Sequence, residues 1–257
     1  MKTEELKEFL NQKVLQYHNA EFITSDPIQV PHAYSLKEDI EISAFLTATM
    51  AWGNRKMIVS KSKELMERMG NSPFEFVMEY SDTDFHKIEG FKHRTFNAVD
   101  ADFFIRSLQN IYINHGGLES VFSFSKTDED SFRAIENFRS VFIETPHQMR
   151  SRKHLSSPAS GSAAKRLNMF LRWMVRNSAG GVDFGIWQNI STAQLVCPLD
   201  IHSGNVARKL GLLNRKPNDW KAATELNTKL KKMDPLDPVK YDFALFGLGV
   251  FEGFSKL

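Results

Sequence analysis

An all-α fold is the architecture this sequence predicts, and three observations predict it. Runs of alternating β-branched residues are scarce, apolar residues recur at helical spacing, and the periodic stretches are bracketed by helix start and stop residues. The composition supplies a core, with 42% apolar and 12% aromatic residues, 21 of them Phe. A length of 257 residues suits one large domain or two closely packed ones.

The opening residues MKTEELKEFL are charged and amphipathic and lack the apolar run of a secretory leader. No apolar stretch of about eighteen residues follows, so a cytoplasmic protein without a membrane span is expected. Ser35-Leu36-Lys37-Glu38 reads as a capping box. It precedes a helix whose Ile42, Phe45, Leu46, Thr49 and Met50 form one stripe, ended by Gly53 and Asn54. A second helix runs from about Arg55 to Met69 and stops at Gly70. A third carries Phe104, Leu108 and Ile111 on one face and stops at Gly116-Gly117, and a fourth, rich in Phe, spans roughly 129 to 143.

Residues 145 to 161 form a basic loop containing Ser, Pro and Gly. The helix after it turns Ala163, Leu167, Phe170, Leu171 and Met174 inward and carries Lys165, Arg172 and Arg176 as one stripe on its other side. Asn177-Ser178-Ala179-Gly180-Gly181 is a breaker, and Trp187 is placed in a short helix. Pro198-Leu199-Asp200 opens a helix that ends near Leu210, with Gly211 just past its end. Two last helices are expected at about 219 to 232 and 239 to 247, split by Asp234-Pro235-Leu236-Asp237-Pro238.

The net charge of +2 conceals a polarity. Residues 145 to 232 hold 15 Lys/Arg against Asp183, Asp200, Asp219 and Glu225, a local balance of +11, which leaves −9 for the rest of the chain. Such a distribution fits a polyanionic partner, and equally a solvated basic face with none. The single cysteine, Cys197, excludes an internal disulfide, a cysteine-ligated zinc site and an iron–sulfur cluster. No metal or cofactor is expected.

Two residues stand out for chemistry. Lys165 follows the tight loop Pro158-Ala159-Ser160-Gly161-Ser162 at the start of a helix, where backbone amides suit a phosphate. It reads as a phosphate-binding point charge, as an amine nucleophile if desolvated among cations, or as an ordinary surface lysine. Asp200 stands just before a helix, as an N-cap or as a rigidly held carboxylate able to stabilise a developing cation. His202 and Arg208 share that helix, Asn54 and Arg55 are placed to enter a groove, and Trp52, Trp173 or Trp187 could be core or could stack a flipped base.

Taken together, these segments resemble the helix–hairpin–helix DNA glycosylases typified by endonuclease III, the HhH-GPD superfamily. The run Cys197-Pro198-Leu199-Asp200-Ile201-His202-Ser203-Gly204-Asn205-Val206-Ala207-Arg208-Lys209-Leu210-Gly211-Leu212 is similar to VDTHVxRVxxRLGL, which holds that family's catalytic aspartate. Glu41 to Ala51 resembles the family's first core helix, and Phe91 to Ala98 the segment before the helix that precedes the hairpin. Lys165 falls where the hairpin's catalytic lysine belongs. The hairpin itself, Ser157-Pro158-Ala159-Ser160-Gly161-Ser162-Ala163-Ala164-Lys165, departs from LPGVGxKxA by one lost glycine and a later lysine. Lys165 and Asp200 are 35 residues apart, closer to the archaeal 8-oxoguanine glycosylase branch. The chain also resembles a family of conserved bacterial proteins distantly related to these enzymes.

The resemblance covers about residues 38 to 215 and implies one domain over 1–257, made of two packed helical subdomains with a helix–hairpin–helix element. It implies a base-excision glycosylase acting on damaged double-stranded DNA, an oxidised purine being one candidate, with a lyase step through a lysine Schiff base. Lys165 and Asp200 are then catalytic, and Ser160, Gly161, Ser162, Lys153, Arg166, His202, Arg208, Asn54 and Arg55 bind DNA. The flipped base would enter a pocket between the subdomains. Two other readings stand beside this one: a non-catalytic nucleic-acid-binding protein on the same fold, and a helical protein-interaction module. A monomer is favoured.

Overall fold

The computed structural model describes residues 3–125, 127–177 and 180–254. It is mostly helical. In chain order the α-helices are α1 (Thr3–Tyr17), α2 (Ala20–Ser25), α3 (Lys37–Thr49), α4 (Arg55–Arg68), α5 (Pro73–Glu79), α6 (Phe85–Ile88) and α7 (Ala98–Asn114). They continue with α8 (Leu118–Val121), α9 (Phe132–Phe142), α10 (Lys165–Val175), α11 (Ile201–Lys209), α12 (Trp220–Met233) and α13 (Tyr241–Val250). The described strands are β1 (Lys92–His93) and β2 (Phe96–Asn97), an antiparallel pair in which His93 faces Phe96. The sequence reading did not anticipate this hairpin. Its turn uses Arg94 at φ +54°, a left-handed conformation that no glycine there advertises. Among the described residues, no helix is long and apolar enough to cross a membrane.

The chain divides into two compact units, which we describe separately. Unit 2 comprises Ile23–Phe124 and Ala134–Ser156. Its centre is α3, buried at every position from Ile40 to Thr49 rather than along the single stripe expected. Phe45 meets Phe104, Phe138 and Phe142, and Phe122 stacks on Phe138 with centroids 4.1 Å apart. Edge-to-face and offset ring contacts of this kind let many Phe share one core without voids. Asp100, in the first turn of α7, is fully buried there. It accepts from the Asn97 amide, from Ser151 Oγ at 2.6 Å and from Arg150 Nη1 at 2.8 Å. Burial opposes its charge, but these donors and His154 hold its carboxyl well below the usual carboxylate range. The carboxylate thus ties the 3₁₀ turn Met149–His154 to α7.

Unit 1 comprises Met1–Phe22, Ser125–Arg133 and Ser157–Leu257. Here α13 packs against both α1 and α11. Two glycines permit the close approach: a β-carbon at Gly247 would fall 2.1 Å from the Tyr17 ring, and one at Gly249 would meet His202 Cβ at 3.1 Å. Leu6, Leu10 and Val14 of α1 are buried, the inward face of the amphipathic opening segment. The centre of the unit is α10, buried from Leu167 to Val175.

Several local expectations change. The capping box at Ser35 does not form: the helix begins at Lys37, its N-cap is Leu36 with no side-chain hydrogen bond, and the first-turn Asp39 carboxylate accepts from the Phe74 amide instead. That helix ends at Thr49, before Gly53, and Asn54 begins the next one by accepting from the Met57 amide. Trp187 is not helical, because Gly185 at φ +59° turns the chain back so that Phe184 and Trp187 donate to the Trp173 and Met174 carbonyls. Of the breaker at 177–181, Ser178 and Ala179 lie outside the described residues. The basic loop at 145–161 contains the 3₁₀ turn Met149–His154. The last two helices fall where expected, and Gly211 follows α11 at φ +71°.

Asp100 supplies a test of how unit 2 is held. Asp100→Ala leaves Arg150 and Ser151 without their buried acceptor and is expected to cost about 3 kcal/mol or more. Urea unfolding followed by near-ultraviolet dichroism measures it, and a loss below about 1 kcal/mol would contradict this role.

Candidate active site

Asp200 is placed by local backbone chemistry. It is extended, at φ −117° and ψ −169°, and caps α11 in a reciprocal capping box with Ser203. Its Oδ1 accepts from the Ser203 amide at 2.9 Å and from Ser203 Oγ at 3.1 Å, while its own amide donates to Ser203 Oγ. The positive end of α11 favours an anion at this point.

Lys165 is placed by a turn. The Ser157 carbonyl accepts from the amides of Ser160 and Ser162, and Gly161, at φ +86°, donates to Pro158. The chain then passes through Ala164 in the left-handed region, at φ +46°, and Lys165 begins α10. The turn is docked on the start of α12, where the Trp220 amide donates to the Gly161 carbonyl and Ser162 pairs with Asp219. Asn168 secures the far side by donating to the Ala163 carbonyl and accepting from Ser131.

The two placements bring the side chains together. Lys165 Nζ lies 3.9 Å from Asp200 Oδ2, with 29% of the lysine side chain and 25% of the aspartate side chain exposed. One carboxylate oxygen therefore caps a helix while the other faces the amine. Both groups reach solvent.

Charged groups of unit 1 continue inward along α10. Arg172 and Arg176 are 3% and 5% exposed. Arg172 pairs with Asp183 and Asp242, and Arg176 with Asp183 and Asp237. The stripe of Lys165, Arg172 and Arg176 is therefore internal below Lys165, because each arginine meets a buried carboxylate. His18 lies 3.1 Å from Arg176 Nη1, and burial with the two arginines lowers its proton affinity to about 4. Burial pushes the Asp242 carboxyl up to about 6, with Arg172 opposing and Asp200 adding to the shift. Sequence reasoning missed Asp242. The available signal was a lone acid in the otherwise apolar helix YDFALFGLGV. Cys197 is buried, and burial raises its thiol well above the usual range.

The other candidates are distributed as follows. Ser160 and Gly161 are exposed and Ser162 is half-buried, but their amides are engaged within the turn. A phosphate here would rely on the first turn of α10, where Ala164 supplies no capping oxygen. Arg166 sits next to Lys165, and desolvation brings its guanidinium down to about 10. His202 is exposed in the first turn of α11. Arg208 donates to the carbonyls of Arg215 and Lys216 and to Asn218, so its guanidinium is occupied in holding a loop. Asn54, Arg55 and Lys153 belong to unit 2, where Asn54 caps α4 and Lys153 is exposed. Trp173 and Trp187 are core, and Trp52 is half-buried against the rings of His93 and His154. Among the described residues, no group of three or more His, Cys, Asp or Glu is disposed to hold a metal ion.

A mostly helical chain with a part-exposed lysine–carboxylate pair is thus defined. It belongs to the family described as "Protein of unknown function (DUF2400)", whose sequence profile matches residues 26–251. No curated protein and no solved structure matches it.

The buried cluster carries a pH signature. Folding raises the Asp242 proton affinity, from 3.8 to about 6, so its contribution to stability is full below the lower value and is lost as pH rises through the upper one. Folding lowers that of His18, from 6.5 to about 4, so its contribution is lost as pH falls through the same window. Asp242→Asn removes the first effect and leaves the second. The urea midpoint of this variant is expected to fall more steeply than the wild type's between about pH 6.5 and 4.5. Parallel profiles would refute the assignment.

Proposed function

We propose that this protein is a DNA base-excision glycosylase with an associated lyase step, and that Lys165 and Asp200 are its working pair. The observation that carries this reading is the 3.9 Å approach of a part-exposed amine to a part-exposed carboxylate. The resemblance of the Asp200 segment to the glycosylases supports it, and that resemblance also suggests an oxidised purine in duplex DNA as substrate.

The chemistry follows from the pair. An amine attacks only when its lone pair is free, so Lys165 first yields a proton, and Asp200 is placed to take it. Nζ then bonds to the sugar C1′, the bond from C1′ to the base breaks, and the base leaves with the electron pair and gains a proton. Opening of the sugar ring gives a Schiff base between Lys165 and C1′. Loss of a C2′ proton expels the 3′ phosphate by β-elimination and cuts the strand. The proton gained by the base comes from Asp200, whose Oδ2, ionised again, then offsets the positive charge of the Schiff base while Oδ1 stays fixed on the cap.

Binding would draw on the exposed lysines of unit 1, Lys209, Lys216, Lys221, Lys229 and Lys232, since Arg172 and Arg176 are committed internally. Affinity for DNA should therefore fall with salt.

Borohydride trapping on duplexes carrying 8-oxoguanine or an abasic site tests the reading. The wild type is expected to form a covalent adduct, Lys165→Ala none, and Asp200→Asn about a hundredfold less. Salt-sensitive DNA binding with neither adduct nor base release on either duplex would reject catalysis and favour a nucleic-acid-binding protein. Negligible DNA affinity at low salt would favour a protein-interaction module.

A further inference from the structure

The segment Arg215–Trp220 bridges the two placements described above. Asn218 Nδ2 donates to the Asp200 carbonyl at 2.9 Å. The next residue, Asp219, pairs with Ser162, and the next, Trp220, donates its amide to Gly161 at 3.0 Å. Three consecutive residues therefore grip the cap that holds Asp200 and the turn that leads into Lys165.

We infer that this segment is a strap that sets the spacing of the Lys165–Asp200 pair, and that Asn218 is its positioning residue. The inference rests on the function proposed above for the pair.

The details of the grip favour alignment over mere packing. The Asp200 carbonyl already accepts the first bond of α11, from the Gly204 amide at 2.9 Å, and Asn218 occupies its second lone pair. The peptide plane that follows Asp200 is thereby held on both sides. Asn218 is itself fixed, because Arg208 donates to its Oδ1 at 2.5 Å. An arginine only donates, so the amide oxygen faces Arg208 and the nitrogen faces Asp200. Arg208 also holds the Arg215 and Lys216 carbonyls, which anchors the start of the strap to α11.

Gly204 makes the reach possible. A β-carbon there would lie 2.8 Å from Asn218 Oδ1, 3.1 Å from Asn218 Nδ2 and 3.0 Å from Arg208 Nη1. Glycine is unfavourable inside a helix, so its place in α11 has this packing reason. A strap pushed outward would carry the Asp200 peptide and the Lys165 turn apart together, and misplacement on the ångström scale is costly to reactions that depend on approach.

The experiment compares Asn218→Ala, the isosteric Asn218→Asp, which lacks the donor, Gly204→Ala, and the double variant Asn218→Ala/Gly204→Ala, all in the full chain. Single-turnover borohydride trapping on a duplex with an abasic site gives a saturating rate and a half-saturating enzyme concentration. Each single variant is expected to lower the rate about tenfold and to move the half-saturation less than about twofold. The double variant should be no worse than Asn218→Ala, because both changes disable one contact. The amide resonance of Ser203, which reports Asp200 Oδ1, should shift in all of them. An unchanged rate together with an unmoved Ser203 resonance overturns the strap. So does a loss seen only in half-saturation, or losses that multiply. Should Gly204→Ala fail to fold, the two Asn218 variants give the same decision. If the wild type forms no adduct, the catalytic reading fails, and the Ser203 resonance alone decides whether the strap holds Asp200.

Discussion

Arg172 and Arg176 lie inside unit 1, and their charge has to be answered there. Removing an ion from water costs several kcal/mol even after relaxation, and a buried arginine survives only among acceptors with good geometry. Asp183, Asp237 and Asp242 provide them, and Asp183 serves both arginines. Because a guanidinium is planar and its donors point in fixed directions, these pairs restrict the rotation of α10 about its axis. Lys165 sits about two and three helical turns before the two arginines on the same stripe, so fixing them also fixes the direction in which Lys165 leaves the helix. The partly exposed amine at the start of α10 is the free end of an otherwise internal row of cations.

In the proposed function the same carboxylate serves structure and chemistry at Asp200 without conflict. A helix cap and a catalytic anion look like alternatives when a sequence offers only an aspartate before a helix. The geometry gives the two oxygens different neighbours, with Oδ1 on Ser203 and Oδ2 toward Lys165. The cap holds the side chain in one rotamer before any substrate arrives, and that preorganisation lets an anion act on developing charge without reorganising. Arg208, which the resemblance implies as a DNA contact, orders the loop that carries Asn218.

Helices were legible where a local rule sufficed. The stop at Gly70, the turn at Gly116-Gly117, the cap at Asp200 and the end at Gly211 each follow from the conformational range of one or two residues. The same rules failed where a longer-range contact won. Ser35 lost its place as a cap because the chain enters α3 through Leu36, with Asp39 engaging the Phe74 amide 35 residues away. The 184–187 segment gave up helical hydrogen bonds in favour of the Trp173 and Met174 carbonyls. The turn into β2 uses a left-handed arginine, which carries no sequence signal.

By itself the sequence determined a mostly helical chain, the bounds of several of its helices, and Lys165 and Asp200 as residues to set beside each other. These depend on periodicity and on caps, which act within a few residues. The tertiary structure alone decided that Lys165 is the accessible member of its stripe, that Asp242 pairs with the buried Arg172, and that the strap from Arg215 to Trp220 grips both sides of the pair. Charge burial and hydrogen bonding between distant segments set these features. Neither leaves a periodic trace in the order of residues.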